Sequence, residues 1–486
     1  MGIVIKQSLW NSVILVLGFG LGAINVLFLY TNFMSPDYFG LVTFILSTGN
    51  ILLPLMSLGM NHSIVKFFSS YSSGQVQNRF LNWSLVLPLF VILPVTLLFS
   101  SFYEQISHWL SRENTIIETY TWTLIPLGIL MGYFEVFFAW SKVQFKTVFG
   151  NFIKEVFARL GVFIGLFLVY WELMSVEQYI WYLVMIYGLR VLVMMVYAFY
   201  LKRPELKDWK LPENFKEVLR YSLYIITAGS AGTILLEIDK FMIPQLEGIS
   251  QVAFYSVGVY MASVIAIPSR ALQQIISPLT AKALNSDDHQ MLEDLFKKSS
   301  LNLLAIGGLI FLLININVSD LYQIIGHEQY RVGIAVVWII SFSELFKLFM
   351  GNTNAVLTNS KYYRTYFYIS LGMAISVVVL NRVLIESFGS VGAAISTMSV
   401  VVLFGIIKML VLRTKMDLRV SIKRTVIVLI LIALLYAAFS FVQLNWHPVI
   451  NVIVKTVLCT MAYGFVLIKL ELSKDVNSML NSFFKK

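Results

Sequence analysis

The stretch KRPELKDWKLPENFKE, residues 202–217, is the most charged in the chain, and long apolar runs flank it on both sides. It holds five basic residues, Lys202, Arg203, Lys207, Lys210 and Lys216, with Pro204 and Pro212 between them. Apolar runs of 20 or more residues are the length needed to cross about 30 Å of hydrocarbon as helix. A short basic block between two such runs is what the cytoplasmic side of a membrane protein requires. Working outward, the same alternation recurs along the whole sequence. Basic loops hold Lys66 and Arg79, then Lys142 and Lys146 with Lys154 and Arg159 just beyond, then Lys282, Lys297 and Lys298, then Lys361 and Arg364, then Arg413, Lys415, Arg419 and Lys423. Lys6 stands at one end, and Lys474, Lys485 and Lys486 at the other. The intervening loops carry acids such as Asp37, Glu104, Glu113, Glu172, Glu247 and Asp320, with only Arg112 and Arg331 opposing them and Arg382 at a helix end.

The pattern predicts an all-α polytopic membrane protein with fourteen transmembrane helices and both termini cytoplasmic. The helices are expected near 10–31, 38–60, 81–103, 117–140, 151–171, 177–201, 218–243, 251–279, 299–318, 332–358, 363–386, 390–412, 424–442 and 447–469. The expected domains are a six-helix lobe at 1–203, a cytoplasmic linker at 204–217, a second six-helix lobe at 218–413, and helices thirteen and fourteen with a cytoplasmic tail at 414–486. Composition supports this class. The chain is 58% hydrophobic and 13% charged, with a mean hydropathy of +0.78, whereas soluble domains carry about 25% charged residues. The net charge of +10 sits in short loops and therefore does not point to nucleic acid. Residues 1–7 precede an apolar run, but no small-residue cleavage site follows it and thirteen further segments do. Gly2 is not read as a myristoylation site, because Lys6 stands where Ser or Thr is wanted.

Two long cytoplasmic loops, 61–80 and 280–298, each follow the second helix of a half and mix apolar with polar residues, as interfacial helices do. Sliding the chain by 214 residues brings Asn25 onto Asp239 and Pro54 onto Pro268. A twofold internal repeat is expected from this, with the substrate site between the halves.

Charges at membrane depth are costly and mark sites or partners. Arg270 follows Pro268, which removes a backbone donor and frees the carbonyl of Val264. A guanidinium beside a kink suits a phosphate, which its planar fork can grip with two bonds. Glu237 and Lys240 stand i, i+3 and are spaced to pair; Asp239 between them points to another face and could take up a proton or cation. Glu135 is a partner or proton carrier, Arg190 is expected to pair with an acid on a neighbouring helix, and Glu344 with Lys347 is read as an internal ion pair. Asn25 and Asn50 are polar positions inside helices one and two, suited to a cavity or to gluing helices together. The single Cys459 excludes a disulfide framework. The histidines His62, His108, His289, His327 and His447 lack metal-ligand spacing, so no metal site is expected. There is no phosphate-binding glycine loop with its lysine, which argues against an ATP-driven engine. No catalytic residues and no cofactor are expected, and the outer loops are too short to hold a catalytic domain.

Three stretches carry a family resemblance: NFMSPDYFGLVTFILSTGNILLPLMSLGMNHSIVKFFSSYSSG at 32–74, LLEIDKFMIPQLEGISQVAFYSVGVYMASVIAIPSRALQQIISPLTAKAL at 235–284, and VLTNSKYYRTYFYISLGMAISVVVLNRVLIESFGSVGAAISTMSVVVL at 356–403. Within the third, GSVGAAIST is the most telling. In these patterns, over about residues 1–470, the chain resembles the Wzx-type polysaccharide (O-antigen, lipid-linked oligosaccharide) flippases. Their superfamily, the multidrug/oligosaccharidyl-lipid/polysaccharide exporters, also contains toxin-extruding multidrug transporters and peptidoglycan lipid flippases. The resemblance implies two six-helix lobes in a V with two appended C-terminal helices. It also implies a cationic cavity lined by helices one, two, seven and eight. By position Asn25, Asn50, Asp239, Lys240 and Arg270 fall on those helices. Relatives often carry a basic residue in helix one or two; this chain has none there, so Arg270 is expected to bear more of the task.

The function implied is translocation of an undecaprenyl-diphosphate-linked glycan from the inner to the outer leaflet of a bacterial cytoplasmic membrane, by alternating access. Arg270, Lys240, Asn25 and Asn50 are the substrate-binding candidates, and Asp239, Glu237 and Glu135 the ion-coupling candidates, with a proton or Na+ gradient as the coupling source. Membrane lipid and a polysaccharide polymerase are the expected partners. A cation-coupled multidrug exporter on the same architecture is the alternative; a glycan polymerase or ligase is a third.

Overall fold

The computed structural model describes residues 3–470, apart from 72–73, 205–208, 213 and 443–444. The middle of the expected linker, with Lys207, and the basic tail with Lys474, Lys485 and Lys486 therefore lie outside the described residues. Everything else is helix, turn or short connection. Twelve helices among the described residues are long and apolar enough to cross a membrane, and the protein is a multi-pass membrane protein.

Where fourteen spans were expected and twelve are counted, the two differences have physical causes. The first lies in α11, Tyr363–Met416, 54 residues in which two helices run together across a break at Gly389. At about 1.5 Å per residue a straight helix of that length would far exceed a bilayer. It is not straight. Gly389 has φ 56° and ψ −142°, a conformation open to glycine and costly for other residues. Beyond it the chain runs back: Ser396 Oγ donates to the Val377 carbonyl at 3.3 Å. A Cβ on Gly392 would collide with the Leu384 backbone, and one on Gly372 would stand 3.0 Å from Phe404. The pairs 384/392, 377/396 and 372/404 define an antiparallel helical hairpin. GSVGAAIST is thus the turn itself: Gly389 reverses the chain, Gly392 admits the opposing backbone, and Ser396 ties the arms. The second difference is the helical stretch from Val148 to Tyr170, which passes through a π-helical turn at Ile153–Phe157. Lys154, Glu155 and Arg159 lie inside it, so it is too charged to count as an apolar span.

The chain divides into two compact units, Met1–Ala253 and Phe254–Lys486. In the first, α1 (Ile3–Ala23), α2 (Pro36–Met56), α3 (Leu124–Lys142), α4 (Ala158–Tyr170), α5 (Val176–Leu201) and α6 (Phe215–Met242) position the groups discussed below. Helix starts follow local chemistry. Pro36 stands at the first position of α2, where its missing N–H costs nothing, with Ser35 as cap. Ser175 and Gln178 form a reciprocal capping box at α5: Gln178 N donates to Ser175 Oγ at 3.2 Å, and Ser175 N to Gln178 Oε1 at 2.9 Å. The core gathers Phe134, Phe138, Trp140 and Met194 around α3 and α5. Although α6 begins after the charged linker, it packs on α2. At that contact Gly59, at φ 62°, lets its backbone approach Ser222 and Ile225, and the buried hydroxyls of Ser63 and Ser222 bond at 2.7 Å. Part of the expected interfacial loop 61–80 forms the helix Met60–Phe67, with Met60, Ile64 and Phe67 buried at helical spacing.

The second unit contains α7 (Ile267–Asn285), α8 (His289–Ile316), α9 (Val318–Ile325), α10 (Gly333–Phe349), α11, α12 (Ile422–Ser440) and α13 (Pro448–Lys469). Pro268 is the second residue of α7, following a 3-10 turn at Val264–Ala266, so the proline opens a new helical segment where the spacing had suggested a kink. α8 is the hub: α7, α10, α12 and α13 all pack on it. Tyr463 Oη donates to the Ala305 carbonyl at 2.7 Å, tying α13 to α8.

Candidate functional site

Ser47 and Asn50 share one face of α2, three residues apart, and Glu237 and Lys240 share one face of α6 by the same spacing. The packing of α2 on α6 brings these faces together. Ser47 Oγ donates to Glu237 Oε2 at 2.9 Å, Asn50 Nδ2 reaches Glu237 Oε1 at 3.5 Å, and Lys240 Nζ donates to Glu237 Oε2 at 2.9 Å. Phe44 and Phe241 stack beside them with centroids 5.7 Å apart. The Glu237 and Lys240 side chains are each 19% exposed. Glu237 is therefore a carboxylate held by three donors from two helices. Asp239, between Glu237 and Lys240 in sequence, is buried on a different face.

A second group lies deeper in the same unit. Glu135 on α3 accepts from Lys154 Nζ at 2.6 Å. Arg190 on α5 does not pair with Glu135. Its guanidinium carbon lies 3.8 Å from the Phe134 ring centroid and 5.5 Å from that of Tyr187. Its Nε has no hydrogen-bond partner among the described residues. Desolvated cation–π contacts of this kind contribute up to about 2 kcal/mol, which helps hold an arginine that is only 9% exposed. Glu135, Glu155 and Arg159 are its charged neighbours. Arg159 donates to the Glu155 carboxylate at 2.8 Å and to the Glu155 carbonyl at 2.6 Å. Asn25, in the π-helical turn that follows α1, is buried and donates to the Arg159 carbonyl at 2.8 Å; it acts as helix glue. Lys154, Arg159 and Arg190 against Glu135 and Glu155 leave this group with a positive excess.

In the second unit Arg270 is the fourth residue of α7 and is exposed. Lys347 donates to Glu344 on α10 at 2.7 Å. Two further basic residues in this unit carry no weight in the sequence reading. Lys408, 5% exposed, donates to Asn354 Oδ1 at 3.2 Å and lies over the Tyr366 ring. Lys455, 8% exposed, donates to Asp320 Oδ2 at 2.8 Å. Arg159, Lys408 and Lys455 are all findable as bases inside apolar spans; Arg159 also reads as part of the basic loop before it. No group of three or more His, Cys, Asp or Glu side chains that could hold a metal ion occurs among the described residues.

Comparison with known proteins bears on this arrangement at three levels. The model of the family described as "Polysaccharide biosynthesis protein" matches residues 4–284, and that of the MatE family matches residues 225–384. Among solved structures, the lipid II flippase MurJ in an inward closed conformation superposes with a TM-score of 0.70 at 12% identity, over 96% of this chain and 100% of that one. An inward-facing multidrug resistance MATE family transporter of the MOP superfamily gives 0.59 at 13% identity, over 84% and 94%. A point mutant of the Vibrio cholerae MATE transporter VcmN gives 0.59 at 10% identity, over 85% and 97%. A comparison with curated proteins gives no significant match. At these identities the solved structures speak to the fold, and the fold is that of the transporters named.

Proposed function

We propose, because this chain belongs to the polysaccharide biosynthesis protein family, that it carries a polyprenyl-diphosphate-linked oligosaccharide from the cytoplasmic to the outer leaflet of a bacterial inner membrane. In this reading the chain crosses fourteen times with both ends in the cytoplasm, and transport proceeds by alternating access, as in other transporters built from paired halves. The observation that carries the reading is the Glu237 cluster. An ionisable pair whose side chains are partly exposed and two neutral polar groups meet where α2 packs on α6. Such a cluster suits a hydrated path for sugars and a group that changes charge during the cycle. The guanidinium of Arg270 is exposed and suits a diphosphate, whose oxygens it can hold with two parallel bonds. Glu237, Asp239 and Glu135 are the candidates for coupling to a proton or Na+ gradient.

The match of the MatE model to residues 225–384 favours one competing reading, a cation-coupled exporter of small molecules. The experiment that separates the two is binding to the purified protein in nanodiscs of a polyprenyl-diphosphate-linked oligosaccharide and of a cationic dye such as rhodamine 6G. Saturable binding of the former, weakened at least about tenfold by Arg270→Ala, supports the flippase reading. Binding of the dye alone supports the exporter.

A further inference from the structure

Asp320 on α9 and Lys455 on α13 form an ion pair at 2.8 Å with side chains 8% and 11% exposed, and it lies in the wall of a cavity of about 670 Å3 within the second unit. Segments of α8, α9, α10, α12 and α13 line this open cavity with Trp446 from the connection before α13, and its volume falls in the range of small-molecule sites, about 300–1,000 Å3. We propose that it is a saccharide-binding site, distinct from the Glu237 cluster. By the loop charges, Asp320 belongs to an outer loop, so placing the site on the face that receives the glycan rests on the orientation proposed above.

The chemistry of the wall selects the ligand. The site's two charges cancel, since Asp320 and Lys455 are bonded to each other, so neither a phosphate nor a free cation finds an unmatched partner. Asn451 Nδ2 donates to the other Asp320 oxygen at 3.1 Å. A carboxylate with one bond on each oxygen keeps lone pairs for further donors, and an ammonium has three donors to place. Asn315, 3% exposed and also in the wall, has its Oδ1 without a hydrogen-bond partner among the described residues. Donors and acceptors are thus interleaved, as sugar hydroxyls, which both donate and accept, require. Aromatic rings line the same cavity. Trp338 and Tyr436 meet edge to face at 4.6 Å, and Trp446, 57% exposed, also lines the cavity. Such rings offer apolar faces to the C–H side of a pyranose while their N–H and O–H reach polar groups. An acyl chain in the same place would desolvate the polar wall without bonding it.

The shared chemistry is a neutral sugar ring, which could arrive free or at the head of a lipid. The test uses the full chain in nanodiscs free of sugar detergents, with tryptophan fluorescence and saturation-transfer NMR as readouts. Free chitobiose, cellobiose and lactose are one set of probes; a glucosyl diacylglycerol in the disc is another, with the sugar-free diacylglycerol as its control. Saturable binding is expected, weakened about fivefold or more by Asn315→Leu and by the exposed Trp446→Leu and restored by Trp446→Tyr. Binding of the free sugars supports a site for glycan in either form, and binding of the glucosyl lipid alone supports a lipid-borne sugar. Absence of saturable binding for every sugar, binding indifferent to both variants, or equal binding of the sugar-free lipid would overturn the proposal. The readout requires no transport. A chain that binds sugars here yet moves no lipid-linked oligosaccharide would sink the flippase reading and leave this site standing.

Discussion

Ser47 and Glu237, 190 residues apart in sequence, meet at 2.9 Å where helix α2 crosses α6. The serine donates to the same carboxylate oxygen that Lys240 holds. Glu237 thereby joins the two helices through one carboxylate. Replacing it with glutamine keeps the shape and removes the charge, leaving Lys240 without a counter-ion in a mostly buried setting. Glu237→Gln should lower transport at least about tenfold at near-normal protein level. Ser47→Ala should cost only about 1 kcal/mol, the net worth of one hydrogen bond, and a few-fold in rate. Transport by matched amounts of reconstituted protein checks both.

The Glu135–Lys154 pair should respond asymmetrically. The Glu135 side chain is 10% exposed and that of Lys154 is 38% exposed. Lys154→Met strands a buried carboxylate, whereas Glu135→Gln leaves a lysine that can turn toward water. The melting temperature in detergent should therefore fall more for Lys154→Met, and a double variant should sit above the Lys154 single. Equal losses for the two single variants would mean the burial difference plays no part.

The hairpin in α11 gives a purely structural prediction. Gly389→Ala forces a residue with a Cβ into φ 56° and should cost about 1–3 kcal/mol. Gly392→Leu should cost more, because its side chain would run into the Leu384 backbone. Thermal unfolding followed by fluorescence should rank wild type above Gly389→Ala, and Gly389→Ala above Gly392→Leu.

Lys455 and Asp320 offer a test of buried charge in the second unit. Lys455→Met alone should destabilise by about 3–5 kcal/mol by leaving Asp320 unpaired, and Asp320→Asn combined with Lys455→Met should recover much of that loss. Chemical unfolding of the three variants measures the recovery directly.

Much of the architecture is legible in the residues because two strong periodicities act together. Apolar length sets where the long helices run, and the basic and acid-bearing loops, such as 202–217, mark the breaks between them. The i, i+3 pairs Glu237–Lys240 and Glu344–Lys347 are legible for the same reason: helical geometry fixes neighbours within a turn. What sequence spacing does not convey is which helix lies beside which. Ser47 and Asn50 reach Glu237 only because α2 packs on α6, and Glu135 takes Lys154 as partner while Arg190 turns to the Phe134 ring. Both depend on contacts between segments far apart in the chain. Arg159 is masked by its closeness to the basic loop at 142–146, although it lies midway along the helical stretch from Val148 to Tyr170. The hairpin at Gly389 is legible as two helices, and the structure adds the reason that the turn needs glycine at two positions.

The most direct test of the central claim is translocation in proteoliposomes. The purified chain would be reconstituted with a fluorescent polyprenyl-diphosphate-linked oligosaccharide, and the fraction reachable by an external glycosidase followed over time. The account predicts that wild type brings the inner-leaflet pool to the outside, that Glu237→Gln and Arg270→Ala slow this at least about tenfold, and that a cationic dye loaded in the same vesicles is not expelled. Expulsion of the dye with the oligosaccharide left in its original leaflet would contradict it.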